Sequence, residues 1–319
     1  MTQEVENITM KSKYPYSKEL RRTINFSDMD LEEKVRDGSL AKFAGFFSKQ
    51  VSFYKSKTAK VRKDTYLSFD NTSIPFYEFT PKREESLYPA MIYYHGGGFM
   101  FPIQKAMMNN SSLYAENTGV KVFLPEYRLA LDSPCDTTLE DCYAMLRFVF
   151  ENAEKLKVDK KRVFLYGDSA GGCLAAGIAL LNRDRTHYPL CGQMLIYPVC
   201  DNERGKYESM EKYKDAAWSK HSNEQMWRIY LSRGVEKETY TIPMKNELHN
   251  LPPAYIEPQQ FDTLRDEAIA YANKLKNAGV DVDLNVVSGS YHGFDADLKS
   301  ALVKRVFEKR YEVIRKFIQ

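Results

Sequence analysis

The sequence predicts an α/β protein in which a mostly parallel sheet is covered by helices on both faces. From residue 89 onward, short apolar runs alternate with longer segments of helical periodicity, and such alternation is typical of parallel sheets. Two of the apolar runs end abruptly in glycine-rich turns, at residues 95–98 and 167–172. With 319 residues, the chain is long enough for one such core and a smaller cap.

The first 60 residues are polar and predict helices. Their apolar positions at or beside helical spacing are Leu40, Phe43, Phe46, Phe47, Val51 and Tyr54. A helix that packs on its own core explains this pattern as well as one that faces a substrate. The next segment, residues 65–81, predicts two strands joined by a turn at Asp70 and Asn71.

The remaining elements follow from apolar runs and their boundaries. Strands are expected within residues 90–99, 121–129, 162–167, 192–199, 253–262 and 281–287. Helices are expected over residues 138–156, 170–182, 265–277 and from about residue 297 to the end. Thr137 and Glu140 have the spacing of a capping box at the start of the first of these helices, and Gly279 follows the third.

Residues 201–250 interrupt the alternation because they are charged and rich in aromatic side chains. We interpret them as mostly an insertion that lies over the edge of the sheet. The predicted organisation is therefore a group of N-terminal helices over residues 1–60 and an α/β domain over residues 61–319.

Composition and charge exclude several classes of function. The 46 basic and 43 acidic residues are interleaved, and a net charge of +3 is no signature of nucleic-acid binding. The first 20 residues lack the apolar centre of a targeting peptide, and no run approaches the ~18 apolar residues of a membrane span. Five cysteines without a C-x-x-C pair favour reduced thiols and a cytoplasmic protein. The five histidines lack metal-ligand spacing, so neither a metal nor another cofactor is expected.

Ser169 is the first candidate for chemistry. Residues 167–171 read Gly-Asp-Ser-Ala-Gly and fit the motif G-x-S-x-G between a predicted strand and a predicted helix. In that context the turn exposes the serine hydroxyl as a nucleophile. A tight strand-to-helix turn that merely needs small residues is the structural alternative.

Residues 95–99, His-Gly-Gly-Gly-Phe, are the second candidate. Three glycines after a strand allow several backbone N–H groups to point into one space, as the binding of an oxyanion requires. A phosphate-binding loop is the alternative, but no Gly-Lys-Ser/Thr sequence follows.

A nucleophilic serine needs a base and an acid that orients the base. Asp262 and His292 follow predicted strands, and the order Ser, Asp, His is that of an α/β hydrolase. Asp262 is also a candidate for the N-cap of its helix. Asp266, Glu267 and Asp295 are rival acids: the first two are expected in the first turn of that helix, and Asp295 is close to His292 in sequence. The remaining histidines that we considered, which lie away from strand ends, are His187, His221 and His249.

The chain resembles the hormone-sensitive-lipase-like α/β hydrolases from about residue 85 to the end. The resemblance rests on the segments HGGGF (95–99), EYRLA (126–130), GDSAGG (167–172), YPVCD (197–201), FDTLRDEA (261–268) and YHGF (291–294). It implies an α/β-hydrolase fold in which residues 1–60, with part of residues 201–250, form a helical cap on a catalytic domain of residues 61–319. It also implies that Ser169 is the nucleophile, His292 the base and Asp262 its partner. It also implies an oxyanion hole formed by the amides of Gly96, Gly97 and Ala170. One departure concerns the loop after EYRLA, where the family usually has Pro-Glu and this chain has Leu-Asp at 131–132.

The expected activity is that of a serine carboxylesterase that acts on small, short-acyl esters through an acyl-serine, without a cofactor. A homo-oligomer is compatible with this expectation. Two alternatives stay open. The resemblance also extends to plant hormone receptors, so the chain is alternatively a catalytically silent protein that binds a small ligand, although such receptors lack the histidine that is kept here. An amidase or peptidase would use the same three residues.

Overall fold

A mostly parallel eight-stranded sheet forms the centre of the computed structural model, which describes residues 13–21, 29–52, 54–234 and 238–319. Its order is β1-β2-β4-β3-β5-β6-β7-β9, and β8 and β10 form a separate two-stranded sheet. The strands are β1 (Ala59–Leu67), β2 (Ser73–Pro81), β3 (Tyr88–Tyr94), β4 (Lys121–Pro125), β5 (Val158–Asp168), β6 (Leu190–Ile196), β7 (Ala254–Glu257), β8 (Gln259–Phe261), β9 (Val282–Leu284) and β10 (Val287–Tyr291).

Only the N-terminal edge of the large sheet is antiparallel. The hairpin β1–β2 turns at the predicted place, where the Thr72 N–H donates to Asp70 Oδ1 at 3.0 Å and Asn71 has a φ of 63°. β2 also runs antiparallel to β4, and the remaining pairs are parallel. The predicted α/β class is confirmed.

Helices cover both faces of the sheet. They are α1 (Leu31–Arg36), α2 (Ser39–Ser52), α3 (Lys105–Thr118), α4 (Cys135–Glu151), α5 (Ala153–Leu156), α6 (Ala170–Arg185), α7 (Glu208–Lys212), α8 (Lys220–Leu231), α9 (Glu238–Thr241), α10 (Arg265–Asn277) and α11 (Ala301–Phe317). Side chains of β3 alternate between two apolar cores: Ile92 and Tyr94 face one, and Met91 and Tyr93 face the other. None of the helices in the described ranges has the length and apolarity that a bilayer crossing requires.

The predicted capping box is wrong, because α4 begins at Cys135, directly after Pro134. Thr137 therefore lies inside the first turn, where its N–H donates to Pro134 O at 3.0 Å. Glu140 pairs with Arg185 on the surface and does not reach back to a cap. Proline is tolerated at a helix start because the N–H group that it lacks would have no partner within the helix. The C-terminal helix also starts later than expected, with Ser300 as its N-cap.

Helix α1 and its N-cap residue Asp30 pack against the segment of residues 201–250. The Leu31 N–H donates to Gln225 Oε1 at 2.8 Å, and Gln225 Nε2 donates to Asp30 Oδ1 at 2.7 Å. An ion pair of 2.6 Å joins Glu32 to Arg228. Helices α1 and α8 thus form one layer, although nearly 200 residues separate them in the chain.

Helix α2 has a core-facing side and an exposed side. Of its predicted apolar positions, Leu40 and Val51 are buried, whereas Phe46 is 58% exposed. The side chains of Phe43 and Phe47 lie outside the described part of the chain.

Candidate active site

Ser169 lies in a sharp turn between β5 and α6. Its φ of 56° and ψ of −122° belong to a region that residues other than glycine seldom adopt. The neighbouring glycines allow the turn, because a Cβ on Gly167 would lie 2.0 Å from Gly171 O and a Cβ on Gly171 would lie 2.0 Å from Tyr94 O. The small residues of the motif therefore serve close backbone packing and, at the same time, the placement of the serine hydroxyl at the start of a helix.

The structure brings Ser169, His292 and Asp262 into one hydrogen-bonded row. Ser169 Oγ lies 2.8 Å from His292 Nε2, and His292 Nδ1 lies 2.8 Å from Asp262 Oδ2. The Asp262 carboxylate is 1% exposed, and its other oxygen accepts the Leu264 N–H at 3.1 Å. Both carboxylate oxygens are thereby fixed, and the acidic side chain cannot rotate without losing a hydrogen bond.

Pairing of β8 with β10 explains why the acid and the histidine meet. The two strands are parallel, and Phe261 is in register with Tyr291. The residue that follows each of them, Asp262 and His292, therefore emerges at the same end of this small sheet. The sequence analysis predicted a single strand within residues 253–262. In the structure, Pro258 divides this run into β7 and β8.

Each of the rival acids has other partners. Asp266 accepts the Ser209 N–H at 2.8 Å and pairs with Arg265 at 2.7 Å. Buried Glu267 accepts the Cys200 N–H at 2.8 Å, and burial raises the pKa of its carboxyl group well above the usual range. The N-cap of α10 is Leu264, so the carboxylate of Asp262 assists the helix start without being its N-cap residue.

Asp295 and the other histidines also lie outside the row. Asp295 accepts a hydrogen bond of 2.7 Å from Tyr197 Oη and one of 2.8 Å from Arg310 Nη1. His187, His221 and His249 are exposed.

The glycine loop lies against the Ser169 turn. A Cβ on Gly96 would come within 2.7 Å of Asp168 O and 3.2 Å of Ser169 Cβ. The Gly96 N–H donates to Asp168 Oδ1 at 3.2 Å. This amide is therefore already hydrogen-bonded to a carboxyl group, whereas the sequence analysis assigned it to the oxyanion hole. The direction of the Asp168 side chain, on which the difference depends, is not encoded in the motif.

His95 and Tyr127 hold the glycine loop in place, which explains the histidine of HGGGF and the tyrosine of EYRLA. Their rings stack with centroids 4.2 Å apart, and Tyr127 Oη donates to His95 O at 2.6 Å. His95 Nδ1 lies 2.8 Å from Gly96 O. Burial lowers the pKa of His95 to about 4. The imidazole is accordingly neutral near pH 7 and serves the loop, with Nδ1 as a donor to Gly96 O.

Trp218 forms one wall of the site, a role that sequence reasoning did not assign. Its ring centroid lies 5.9 Å from that of His292. Its Cη2 atom lies 3.3 Å from the point where a Cβ would be if one were added to Gly98. The indole Nε1 donates to Asn223 Oδ1 at 3.2 Å, and the Trp218 carbonyl accepts from Thr263 Oγ1 at 3.0 Å. The interruption of the strand–helix alternation at residues 201–250 was the available signal. It indicated a cap but not which of its aromatic residues would contact the site.

The site contains oxygen and nitrogen groups suited to proton transfer. Within the described residues, no group of three or more His, Cys, Asp or Glu side chains is arranged to hold a metal ion. The arrangement as a whole offers a hydroxyl with a base at hydrogen-bond distance, next to glycine amides and the start of a long helix.

Comparison with known proteins extends this picture. A profile of the alpha/beta hydrolase fold matches residues 91–296. Carboxylesterase NlhH of Mycobacterium tuberculosis is 31% identical over 229 residues, which cover 70% of this chain and 72% of that protein. Lipase 2 of Moraxella sp. is 30% identical over 235 residues, which cover 64% of this chain and only 54% of the lipase.

Among solved structures, that of a bacterial heroin esterase matches with a TM-score of 0.82 and 27% identity, over 96% of this chain and 98% of that one. The profile match extends over more than half of the chain, and NlhH is more than 30% identical over 70% of it. The chain belongs to the α/β hydrolase fold family that contains the hormone-sensitive-lipase-like enzymes.

Proposed function

We propose that the protein is a serine carboxylesterase that hydrolyses small, short-acyl carboxylic esters through an acyl-serine intermediate. The observation that carries the proposal is the pair of 2.8 Å contacts that run from Ser169 through His292 to Asp262. The esterase and carboxylesterase names of its relatives support ester hydrolysis.

In the proposed acylation, His292 acts as the general base. Its Nε2 atom takes the proton of Ser169 Oγ while that oxygen forms a bond to the ester carbonyl carbon. The Asp262 carboxylate accepts the Nδ1–H, which keeps Nε2 unprotonated and directed toward the serine, and it stabilises the imidazolium that forms. The tetrahedral intermediate then expels the alcohol, which receives its proton from Nε2.

Deacylation repeats the same proton transfers with water. His292 takes a proton from the water molecule, whose oxygen forms a bond to the acyl carbon, and returns the proton to Ser169 Oγ when the acyl–oxygen bond breaks. The carboxylic acid leaves and the serine is restored. This scheme requires no cofactor.

We propose that the amides of Gly97, Gly98 and Ala170 stabilise the oxyanion. Gly98 thus replaces Gly96, which the sequence analysis assigned to this role. The Gly96 amide donates to Asp168 and is not available. Ala170 is the first residue of α6, where the amides have no partner within the helix and the helix dipole favours negative charge.

Short acyl groups are proposed because Trp218 narrows the site. The indole lies between the glycine loop and the His292 ring, at the distances given above. Met226 of α8 lies next to the same glycine, with its Cγ atom 3.6 Å from the position of a Cβ on Gly98. We further propose that residues 1–60 and part of residues 201–250 form a cap on the catalytic domain of residues 61–319, because α1 packs on α8.

Substitution of the nucleophile tests the mechanism. Ser169→Ala should fold normally and lose several orders of magnitude of kcat on p-nitrophenyl acetate, as removal of such a nucleophile does in other serine hydrolases. An organophosphonate probe should label the parent protein and not the variant. Ser111→Ala, at a buried serine of α3, is the control and should keep both labelling and turnover. Labelling that survives in Ser169→Ala would show that the nucleophile is a different residue.

A substrate panel separates the alternatives. Nitrophenyl esters of increasing acyl length should be hydrolysed faster than the matched anilides, with a maximum at short chains. Faster cleavage of anilides would assign an amidase. Saturable binding of the esters without turnover or phosphonate labelling would assign a binding protein.

A further inference from the structure

Residues 13–21, here called the strap, lie across the strands that precede the acid and the histidine. The Tyr16 ring centroid is 4.7 Å from that of Tyr291 and 5.7 Å from that of Phe261. Tyr291 and Phe261 are the residues directly before His292 and Asp262. One side chain of the strap therefore contacts both strand ends from which these two groups emerge.

Backbone contacts fix the strap to the same region. The Ser17 N–H donates to Gly289 O at 2.8 Å, and the Arg21 N–H donates to Asp297 Oδ2 at 2.7 Å. Gly289 permits this approach because a Cβ there would lie 2.9 Å from Ser17 Cβ. The strap is thus attached to the chain both before and after His292.

The small sheet of β8 and β10 needs such support. β8 has three residues, and its pairing with β10 is in register only at Val287 with Gln259 and at Tyr291 with Phe261, with an irregularity between them. Two-stranded sheets of this size are marginal on their own. The gap in the ladder is filled by the Gln260 side chain, whose Oε1 accepts the Gly289 N–H at 2.7 Å.

We propose that Tyr16 is a positioning residue for the His292–Asp262 pair: its ring clamps Tyr291 to Phe261 and so keeps β10 from sliding along β8. A slide would change the distance between His292 Nδ1 and Asp262 Oδ2 directly, because each group follows immediately after a clamped residue. The catalytic consequence rests on the proposed function, whereas the clamp itself does not.

Kinetics provide the first test. Because Tyr16 packs on the residues that precede the acid and the base, Tyr16→Ala should lower kcat by about 10- to 100-fold, the effect of a misplacement of ~1 Å, with little change in KM. Tyr16→Phe keeps the ring and should keep the activity. Tyr54→Ala is the matched control, because Tyr54 is also partly buried in the N-terminal region but packs on Phe79. Tyr54→Ala should lower the melting temperature about as much as Tyr16→Ala does, but it should leave kcat unchanged.

A double-mutant cycle separates positioning from general destabilisation. If Tyr16 acts through the pair, Tyr16→Ala should cause little further loss of kcat in an Asp262→Asn background. Independent, multiplying losses in the double variant would overturn the proposal.

Proton NMR detects the hydrogen bond between His292 and Asp262 in the absence of substrate. The low-field resonance of the His292 Nδ1–H, identified by its absence in His292→Asn, should be present in the parent protein and in Tyr16→Phe. It should broaden or disappear in Tyr16→Ala. A parent protein that shows this dependence but no Ser169-dependent turnover would refute the proposed function alone. An active parent whose Tyr16→Ala variant keeps both kcat and the resonance would refute the clamp alone.

Discussion

At the scale of single residues, the site depends on a backbone conformation that is costly for serine. A residue other than glycine in a rarely populated region of φ and ψ costs on the order of 1–3 kcal/mol, and packing must hold it there. Here the packing is backbone on backbone, since Gly167 and Gly171 leave no room for a Cβ. The motif is readable from sequence because no other residue type satisfies these contacts.

The acid that orients His292 can be identified by exchanging one carboxylate oxygen for nitrogen. Asp262→Asn keeps the shape of the side chain but can present an N–H to Nδ1, which favours the wrong tautomer; an analogous change in another serine hydrolase costs about 10⁴ in kcat. We expect a folded, nearly inactive protein that regains some activity at high pH. The measurement is kcat and melting temperature.

Asp266→Asn is the matched control for that substitution. Asp266 lies in the first turn of α10 and pairs with Arg265. Its loss should weaken the helix start by roughly 0.5–1 kcal/mol and leave kcat within a few-fold. An inactive Asp266→Asn beside an active Asp262→Asn would show that the acid of the row is misassigned.

At the scale of elements, apolar runs and turn residues predicted most of the sheet and the order of its strands along the chain. They could not reveal the β8–β10 sheet, because a three-residue strand after Pro258 has no periodicity of its own. The start of α4 was misplaced because Pro134, and not Thr137, is the N-cap of the helix. The three residues of the hydrogen-bonded row were predictable, since the proposed chemistry restricts the residue type at each position. The engagement of Gly96 by Asp168 was not, because it depends on a side-chain direction.

The segment of residues 201–250 should set the acyl length through Trp218. Trp218→Ala opens the space beside Gly98 and His292, so longer acyl chains should bind with less steric conflict. One methylene in an apolar pocket changes kcat/KM by about 10-fold or more, and we expect the ratio of octanoate to acetate hydrolysis to rise by at least that factor. Trp218→Phe is the control that keeps most of the wall. An unchanged ratio in Trp218→Ala would exclude this residue as the limit on chain length.

At the scale of the whole molecule, one buried guanidinium joins distant parts of the chain beneath the site. Arg310 of α11 is fully buried and pairs with Glu257, the last residue of β7, at 2.6 Å and with Asp295, three residues after His292, at 2.8 Å. Asp168, directly before Ser169 in the chain, is a further buried carboxyl group of this region. Glu257 and Asp295 therefore share one buried base, and the charge of Arg310 also acts on Asp168. Burial first, and the neighbouring charge of Asp295 second, raise the pKa of Asp168 to about 7.

This pKa makes the stability of the fold depend on pH with a defined sign. The folded protein keeps the Asp168 proton up to about pH 7, whereas the unfolded chain releases it near the ordinary value of 3.8. Between these values the folded state binds more protons, so the contribution of Asp168 to the free energy of unfolding falls as pH rises, by about 1.4 kcal/mol for each pH unit. In Asp168→Asn the amide oxygen can still accept the Gly96 N–H, but no proton is exchanged.

The test is urea unfolding of parent and Asp168→Asn at pH 5, 6, 7 and 8. The difference between their free energies of unfolding should shift in favour of the variant from pH 5 to pH 7 and then level off. Asp70→Asn is the control with the opposite shift, because its hydrogen bond with Arg128 holds the pKa of Asp70 well below its usual range. Asp70 is ionised in both folded and unfolded chains between pH 5 and pH 8. The difference in free energy of unfolding between Asp70→Asn and the parent should therefore stay constant. A constant difference for Asp168→Asn as well would mean that Asp168 is ionised in the folded protein at pH 5, and that Arg310 compensates all three carboxylates.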